Sequence, residues 1–146
     1  METKNDYRKP VKKYYTIRRK APAHKGNLKN AVDFLCDEGT PIYAASSGKA
    51  VFVKQDSNIG GPNKKYWFDG NRIVLKHKND KYTAYEHLKF RGSKIKVGQN
   101  IRKGQLIGYS GNTGFTSKPH LHFELFKFTG PDKVKDFQTL KIKFKG

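Results

Sequence analysis

His120 and His122 stand two residues apart in the run Pro119-His120-Leu121-His122-Phe123-Glu124-Leu125, directly after the glycine-punctuated loop Ser110 to Lys118. In an extended strand, residues i and i+2 share a face, so the two imidazoles project together, roughly 6.6 Å apart along the backbone. Leu121, Phe123 and Leu125 then point the other way, as a core-facing stripe should. Paired imidazoles, with the Glu124 carboxylate continuing their face, suit a metal site or acid–base work. His24 and Asp33 add an imidazole and a carboxylate around Gly26, and His87 closes the run Tyr82 to His87, at a strand-to-loop junction where sites commonly collect. His77 belongs to a lysine-rich hairpin and reads as a surface residue. A catalytic zinc takes three such ligands and keeps one position open. Spacing leaves open whether His120, His122 or both complete a set with His24 and Asp33. The helical HExxH motif is absent.

The elements that must position these side chains read as short strands and turns. Thr40 to Ala45 and Ala50 to Lys54 read as a strand and its return across the turn Ser46-Ser47-Gly48-Lys49. Arg72 to Lys76 and Tyr82 to His87 form a second hairpin, turning at Asn79-Asp80. Ile95 to Val97, Ile101 and Gln105 to Tyr109 are short strands punctuated by Gly98 and Gly104. Asn112-Thr113-Gly114 sets a turn ahead of His120. The stretch Gln55 to Gly70 is too long for a plain connection and reads as a functional loop, with Tyr66, Trp67 and Phe68 packing against the sheet edge. No sustained 3.6-residue apolar period appears beyond a short turn at Lys29 to Asp33. The fold class is therefore all-β, an antiparallel β-sandwich or barrel-like core with long active-site loops. It divides into a basic N-terminal segment (1–20), a central β domain (21–127) that carries the placed histidines, and a C-terminal extension (128–146) whose Leu140, Ile142 and Phe144 suggest an added edge strand.

Composition narrows the function classes. At 146 residues the chain can bury a core without staples, and its single cysteine, Cys36, cannot form an internal bridge. No apolar stretch approaches a membrane span or a signal-peptide core. Lys and Arg number 31 against 12 Asp and Glu, a net charge of +19, which favours an anionic partner. A nucleic-acid binder would interleave aromatic and basic residues on one face. Lys65-Tyr66-Trp67 is a faint version of that, and such a reading leaves the placed histidines unexplained.

The order His24…Asp33, Tyr85-Glu86-His87-Leu88, Pro119-His120-Leu121-His122-Phe123-Glu124 resembles the M23 family of zinc peptidases, the lysostaphin and LytM-like group. Glu38 to Lys49 and Val97 to Gly114 resemble the same family, so the likeness covers roughly His24 to Phe126. It implies cleavage of peptide cross-links in bacterial peptidoglycan, with His24, Asp33 and His122 as Zn2+ ligands and His87 and His120 as catalytic histidines that do not bind the metal. Many members place the aspartate four residues after the first histidine. Here the interval is nine, as in a subgroup with the longer His…Ala-Val-Asp-Phe spacing. The residues before His24 match the family poorly, leaving Tyr14 and Tyr15 as the upstream candidates.

On that resemblance, His120 is the general base, a protonated His87 donates to the developing oxyanion, and Glu124 orients a histidine through its second ring nitrogen. The partners implied are peptidoglycan cross-links and anionic wall polymers, with no specific nucleic acid. The location implied is secreted, periplasmic or cell-wall associated. The alternative on the same scaffold is a catalytically silent zinc-bearing module for wall binding or signalling.

Overall fold

The computed structural model describes residues 7–19, 24 and 26–145; of the N-terminal segment 1–20, residues 1–6 and 20 fall outside them. Among the described residues, short alternating runs become twelve strands, and three of the connections contain short 3-10 segments. The main sheet has eight strands. Its path runs β1 (Thr16–Arg18), β2 (Val32–Leu35), β11 (His120–Phe128), β7 (Tyr82–Leu88), β6 (Asn71–Lys76), β4 (Gly48–Lys54) and β8 (Asn100–Ile101), with β12 (Phe137–Leu140) on the far half of β11. Every pairing in it is antiparallel. β11 is long enough to meet β2 through His120–Phe123 and β12 through Leu125–Phe128.

Period-2 alternation sends Ile17, Phe34, Leu121, Phe123, Leu125, Tyr85, Ile73 and Leu75 to one face, where they join a single core cluster. Each such side chain contributes about 1.5–3 kcal/mol when fully buried. Tyr85 and Phe123 also meet edge-to-face at 5.3 Å. Over this face lies a two-stranded ribbon, β3 (Pro41–Tyr43) with β9 (Leu106–Tyr109), which inserts Ile42 and Ile107 into the cluster. Tyr7 and Val11 are buried there too, and Tyr7 bridges to Phe144.

The expected return of residues 40–45 onto 50–54 does not form. β3 pairs with β9, and β4 pairs with β6 and β8. The turn chemistry at Ser46 to Lys49 is real, but Ala44 and Ala45 are fully buried, so the chain uses it to cross from one layer to the other. Ile95 to Val97 has Ile95 in the core but no ladder partner, and the turn placed at Lys29 to Asp33 closes earlier, as Gly26–Leu28. His77 is buried, not on the surface. Its Nδ1–H donates to the Ser47 carbonyl at 2.7 Å and its Nε2 lies 2.7 Å from the Thr83 hydroxyl. The lysines around it face outward while the imidazole turns inward.

Candidate active site

The opposite face of the main sheet carries the chemistry, organised by register. Arg18 lies across from Asp33, Asp33 across from His122, His122 across from Glu86, and Glu86 across from Arg72. Directly opposed residues share a face, so five side chains from β1, β2, β11, β7 and β6 form one row of alternating charge with an imidazole at its centre. Asp33 is only 3 % exposed. Its Oδ2 receives Arg18 Nη2 at 3.1 Å, while Oδ1 lies 3.2 Å from His24 Nε2 and 3.0 Å from His122 Nδ1. Arg72 and Glu86 pair at 3.4 Å at the far end.

The outer nitrogens of the two rings on Asp33 are already committed. His24 Nδ1–H donates to the Arg19 carbonyl at 2.9 Å, and His122 Nε2–H donates to Glu124 Oε1 at 2.9 Å. The nitrogens left over both face the same carboxylate oxygen. Lone pairs on three atoms therefore meet unless protons or a cation separate them. The three donor atoms lie within 4.8 Å of one another. Two imidazoles and one carboxylate, with outer positions fixed by a carbonyl and a buried glutamate, fit a divalent metal with nitrogen and oxygen preference.

His87 and His120 are held differently. His87 Nδ1–H donates to the Thr113 carbonyl at 2.7 Å, and His120 Nδ1–H to the Lys118 carbonyl at 2.8 Å. Each is thereby fixed in the tautomer that leaves Nε2 as the open acceptor. The rings lie 4.6 Å apart, and His120 Nε2 comes no closer to Asp33 than 3.7 Å. Strict alternation would send His87 to the core with Tyr85. Instead its φ is 66°, in the left-handed region, and the β6–β7 register shifts beside it, making His87 the extra residue of a bulge. The bulge turns His87 to the polar face and returns Leu88 to the core.

The loops bracing these rings are tightly bonded. Thr113 Oγ1 accepts from the Asn71 backbone N–H and donates to the Leu88 carbonyl, and the Asn71 side chain bonds Ser57 at both its N–H and carbonyl. Gly114, at φ 85°, has no room for a side chain: a Cβ would sit 2.7 Å from Gly70 Cα. This contact brings the 3-10 turn Lys64–Asp69 close to His87. Contrary to the packing expected of them, Trp67 and Phe68 are 51 % and 77 % exposed, because that turn buries none of its residues. Trp67 meets Phe115 at 6.0 Å.

The electrostatics follow this geometry. Hydrogen bonds from His122 and His24 outweigh burial and hold Asp33 well below the usual carboxylate range. His122 is buried, yet its bonds to Asp33 and Glu124 lift it well above the ordinary histidine value. Burial, and then the charges of His120 and His122, push His87 down to about 4. Burial lowers His120, with Asp33 opposing the shift.

Sequence pattern assigned no role to Arg18, Glu86 or Thr116, whose Oγ1 lies 3.2 Å from His120 Nδ1. Arg18 ends β1, one residue past the run Tyr14 to Ile17 that reads as a tail or an outlying strand, and only long-range pairing brings it to Asp33. Glu86 had a findable signal, since it precedes His87 and shares the alternation of Ala84. Tyr14 instead packs edge-on against Phe34, and Tyr15 donates to Asp37 at the exposed surface.

Residues 27–135 match peptidase family M23, and the chain belongs to that family. The match includes Asp33, His87, His120, His122 and Glu124, with His24 three residues before its start. Over 98 residues the chain is 40% identical to the peptidoglycan DD-endopeptidase ShyA of Vibrio cholerae, covering 66% of this chain and 20% of that protein. Over 99 residues it is 39% identical to lysostaphin of Staphylococcus simulans, covering 68% and 18%. The chain thus spans about a fifth of the length of these relatives. Among solved structures, the catalytic domain of S. simulans lysostaphin aligns with a TM-score of 0.59 at 31% identity, covering 88% of each chain. A zinc-containing peptidase from V. cholerae aligns with a TM-score of 0.62 at 29% identity, covering 82% of this chain and 36% of that one.

Proposed function

We propose that this chain is a zinc-dependent endopeptidase that hydrolyses peptide cross-links of bacterial peptidoglycan. The observation that carries the reading is the division of four imidazoles on one sheet face. His24 and His122 aim their free nitrogens at Asp33, whereas His87 and His120 keep Nε2 open beside them. His24 Nε2, Asp33 Oδ1 and His122 Nδ1 would hold the zinc, which supplies a Lewis acid for the scissile carbonyl and for the attacking water. Glu124 fixes the His122 ring from behind and makes its inward nitrogen more basic.

His120 Nε2 takes the proton of the attacking water and passes it to the leaving amine, with the Lys118 carbonyl holding the ring at Nδ1 throughout. We assign His87 a role other than the one the resemblance implies. Its Nδ1–H is spent on Thr113 and burial keeps the ring neutral, so at rest it has no proton for an oxyanion. His87 Nε2 instead accepts a hydrogen bond from the water and orients it toward the carbonyl. The exposed Trp67 and Phe68 guide an extended peptide past both rings.

Both catalytic histidines being present and aimed at one point speaks against the silent-module alternative. The net charge of +19 suits a substrate embedded among anionic wall polymers, and with it a location in or outside the cell envelope. Among the described residues no helix is long and apolar enough to cross a membrane. The test is mass spectrometry of soluble products after the zinc-loaded protein digests purified peptidoglycan, beside His120→Ala. New peptide termini released by the wild type alone support the peptidase. Absence of products from several wall types, with zinc bound, overturns it.

A further inference from the structure

We propose that Arg18 is a specificity-determining residue that binds a carboxylate on the amino acid contributing the scissile amine. The inference rests on the endopeptidase reading and narrows it. The bond cut is then a direct D,D cross-link between stem peptides whose amine-side residue is a diamino diacid, with a free carboxylate on the carbon that bears the amide nitrogen. The interior bonds of a glycine bridge have no such group.

The guanidinium is poorly spent where it stands. It carries five donors in a rigid fork, yet the hydrogen bond it makes among the described residues is the single one from Nη2 to Asp33 Oδ2. An arginine serving only to neutralise Asp33 would place its fork on both carboxylate oxygens. Here Oδ1 is taken by His24 and His122, so Arg18 holds one oxygen and keeps its other donors. Its Nε is buried and has no partner, while 34 % of the side chain is exposed. A cation beside the histidine cluster, with a third of its side chain exposed and donors left over, can take an anion supplied from outside.

Among the described residues, the other carboxylates of this face are already paired. Glu86 pairs with Arg72, and Glu124 is held by His122. Which side of the site it serves also follows. Arg18, on β1, lies two strands from His120 on β11 and three from His87 on β7, and Asp33 meets both Arg18 Nη2, at 3.1 Å, and His120 Nε2, at 3.7 Å. If His120 hands its proton to the leaving amine, the amine-side residue lies over His120, and a carboxylate adjacent to that nitrogen falls within reach of Arg18. Binding through a charge-assisted, two-pronged contact aligns the leaving group with the ring that protonates it.

The experiment compares two purified cross-linked stem-peptide dimers that differ only in this group, free carboxylate or carboxamide. It uses the zinc-loaded full chain as wild type, Arg18→Gln and Arg18→Lys, with thermal melts to confirm folding and chelator competition to measure zinc affinity. The wild type is expected to prefer the carboxylate form in kcat/KM by roughly 10- to 100-fold, the range for a charged hydrogen bond. Arg18→Gln brings the ratio close to one, and Arg18→Lys keeps part of it. A wild type that cuts both forms equally overturns the proposal but leaves the peptidase standing, as does one that cuts only a pentaglycine bridge. Equal losses on both dimers in Arg18→Gln, tracking weakened zinc binding, also overturn it, because Arg18 then acts only through Asp33. No cleavage of any of these substrates by the wild type overturns this proposal together with the peptidase reading.

Discussion

His77 on the core face of the sheet and the trio His24, His120 and His122 on the polar face are all buried, yet they are built to different ends. On the core face, His77 Nδ1–H donates to the Ser47 carbonyl, and its Nε2 meets Thr83, whose hydroxyl lies 3.0 Å from that of Tyr85. Tyr85 in turn accepts the Ala45 backbone N–H at 2.9 Å. With a neutral imidazole each hydrogen in this chain has one acceptor: Tyr85 O–H donates to Thr83, and Thr83 O–H donates to Nε2. Nothing is left to bind. On the polar face, His24 and His122 are anchored by their outer nitrogens, and their inner nitrogens converge on one oxygen of Asp33. That cluster closes only when something positive enters it. Burial does not distinguish a structural histidine from a ligand; the count of donors against acceptors does.

Substitutions that exchange the two behaviours test this contrast. The largest effect belongs to the centre of the charged row. His122→Ala is expected to retain no stoichiometric zinc after dialysis and to show no cleavage above background, both read by metal analysis and product mass spectrometry. Next is His120→Ala, which on the proposed mechanism removes the proton carrier but no ligand. It should lose roughly 10²–10⁴ in kcat while holding zinc as tightly as the wild type. A joint loss of zinc and activity there would move His120 into the ligand set.

Glu124→Gln comes third. The amide still fills the space behind His122 but no longer stabilises its ring as a carboxylate does, so zinc affinity should fall roughly 10- to 100-fold in chelator competition. Full retention of affinity would make Glu124 a packing residue.

The smallest effect lies at His77, and it concerns stability. Burial holds His77 below the ordinary histidine value, so the unfolded chain takes up a proton first as pH drops. Its contribution is therefore complete above about pH 6.5 and is lost as pH falls through the lower folded value. His77→Gln should cost about 1–3 kcal/mol at neutral pH and flatten the decline in stability between pH 7 and pH 5, measured by urea unfolding of metal-free protein. Zinc binding and kcat should stay unchanged. A loss of activity larger than the loss of folded protein would break the separation between the two faces.

The alternating segments were legible in the sequence and the long-range geometry was not. Period 2 in His120 to Leu125 correctly separates a polar face from a core stripe, and Asp33 between Val32 and Phe34 follows the same rule. The hairpin turning at Asn79-Asp80 forms as read, both residues adopting positive φ. His87 was found only by its place at a strand end, because simple alternation points it into the core. Seeing the bulge needs the partner strand, where Asn71 pairs with Leu88 and Arg72 with Glu86. Arg18 was invisible for a related reason, since only the pairing of its strand with β2 brings it to Asp33. His77 was misread because its neighbours are lysines, and side chains adjacent in sequence take opposite faces. Ser46 to Lys49 shows the limit of turn chemistry: it identifies a reversal, while burial of Ile42 and Ile107 decides which strands meet.

The claim at the centre of this account is that one trio of donors takes the metal and a second trio does not, although His87, His120 and His122 also lie within 4.8 Å of one another. Anomalous diffraction at the zinc edge from zinc-loaded crystals decides between them. The prediction is a single peak about 2.0–2.2 Å from His24 Nε2, Asp33 Oδ1 and His122 Nδ1, with His87 and His120 unligated. A peak bound by His87 and His120 instead would contradict the division of labour on which the mechanism stands.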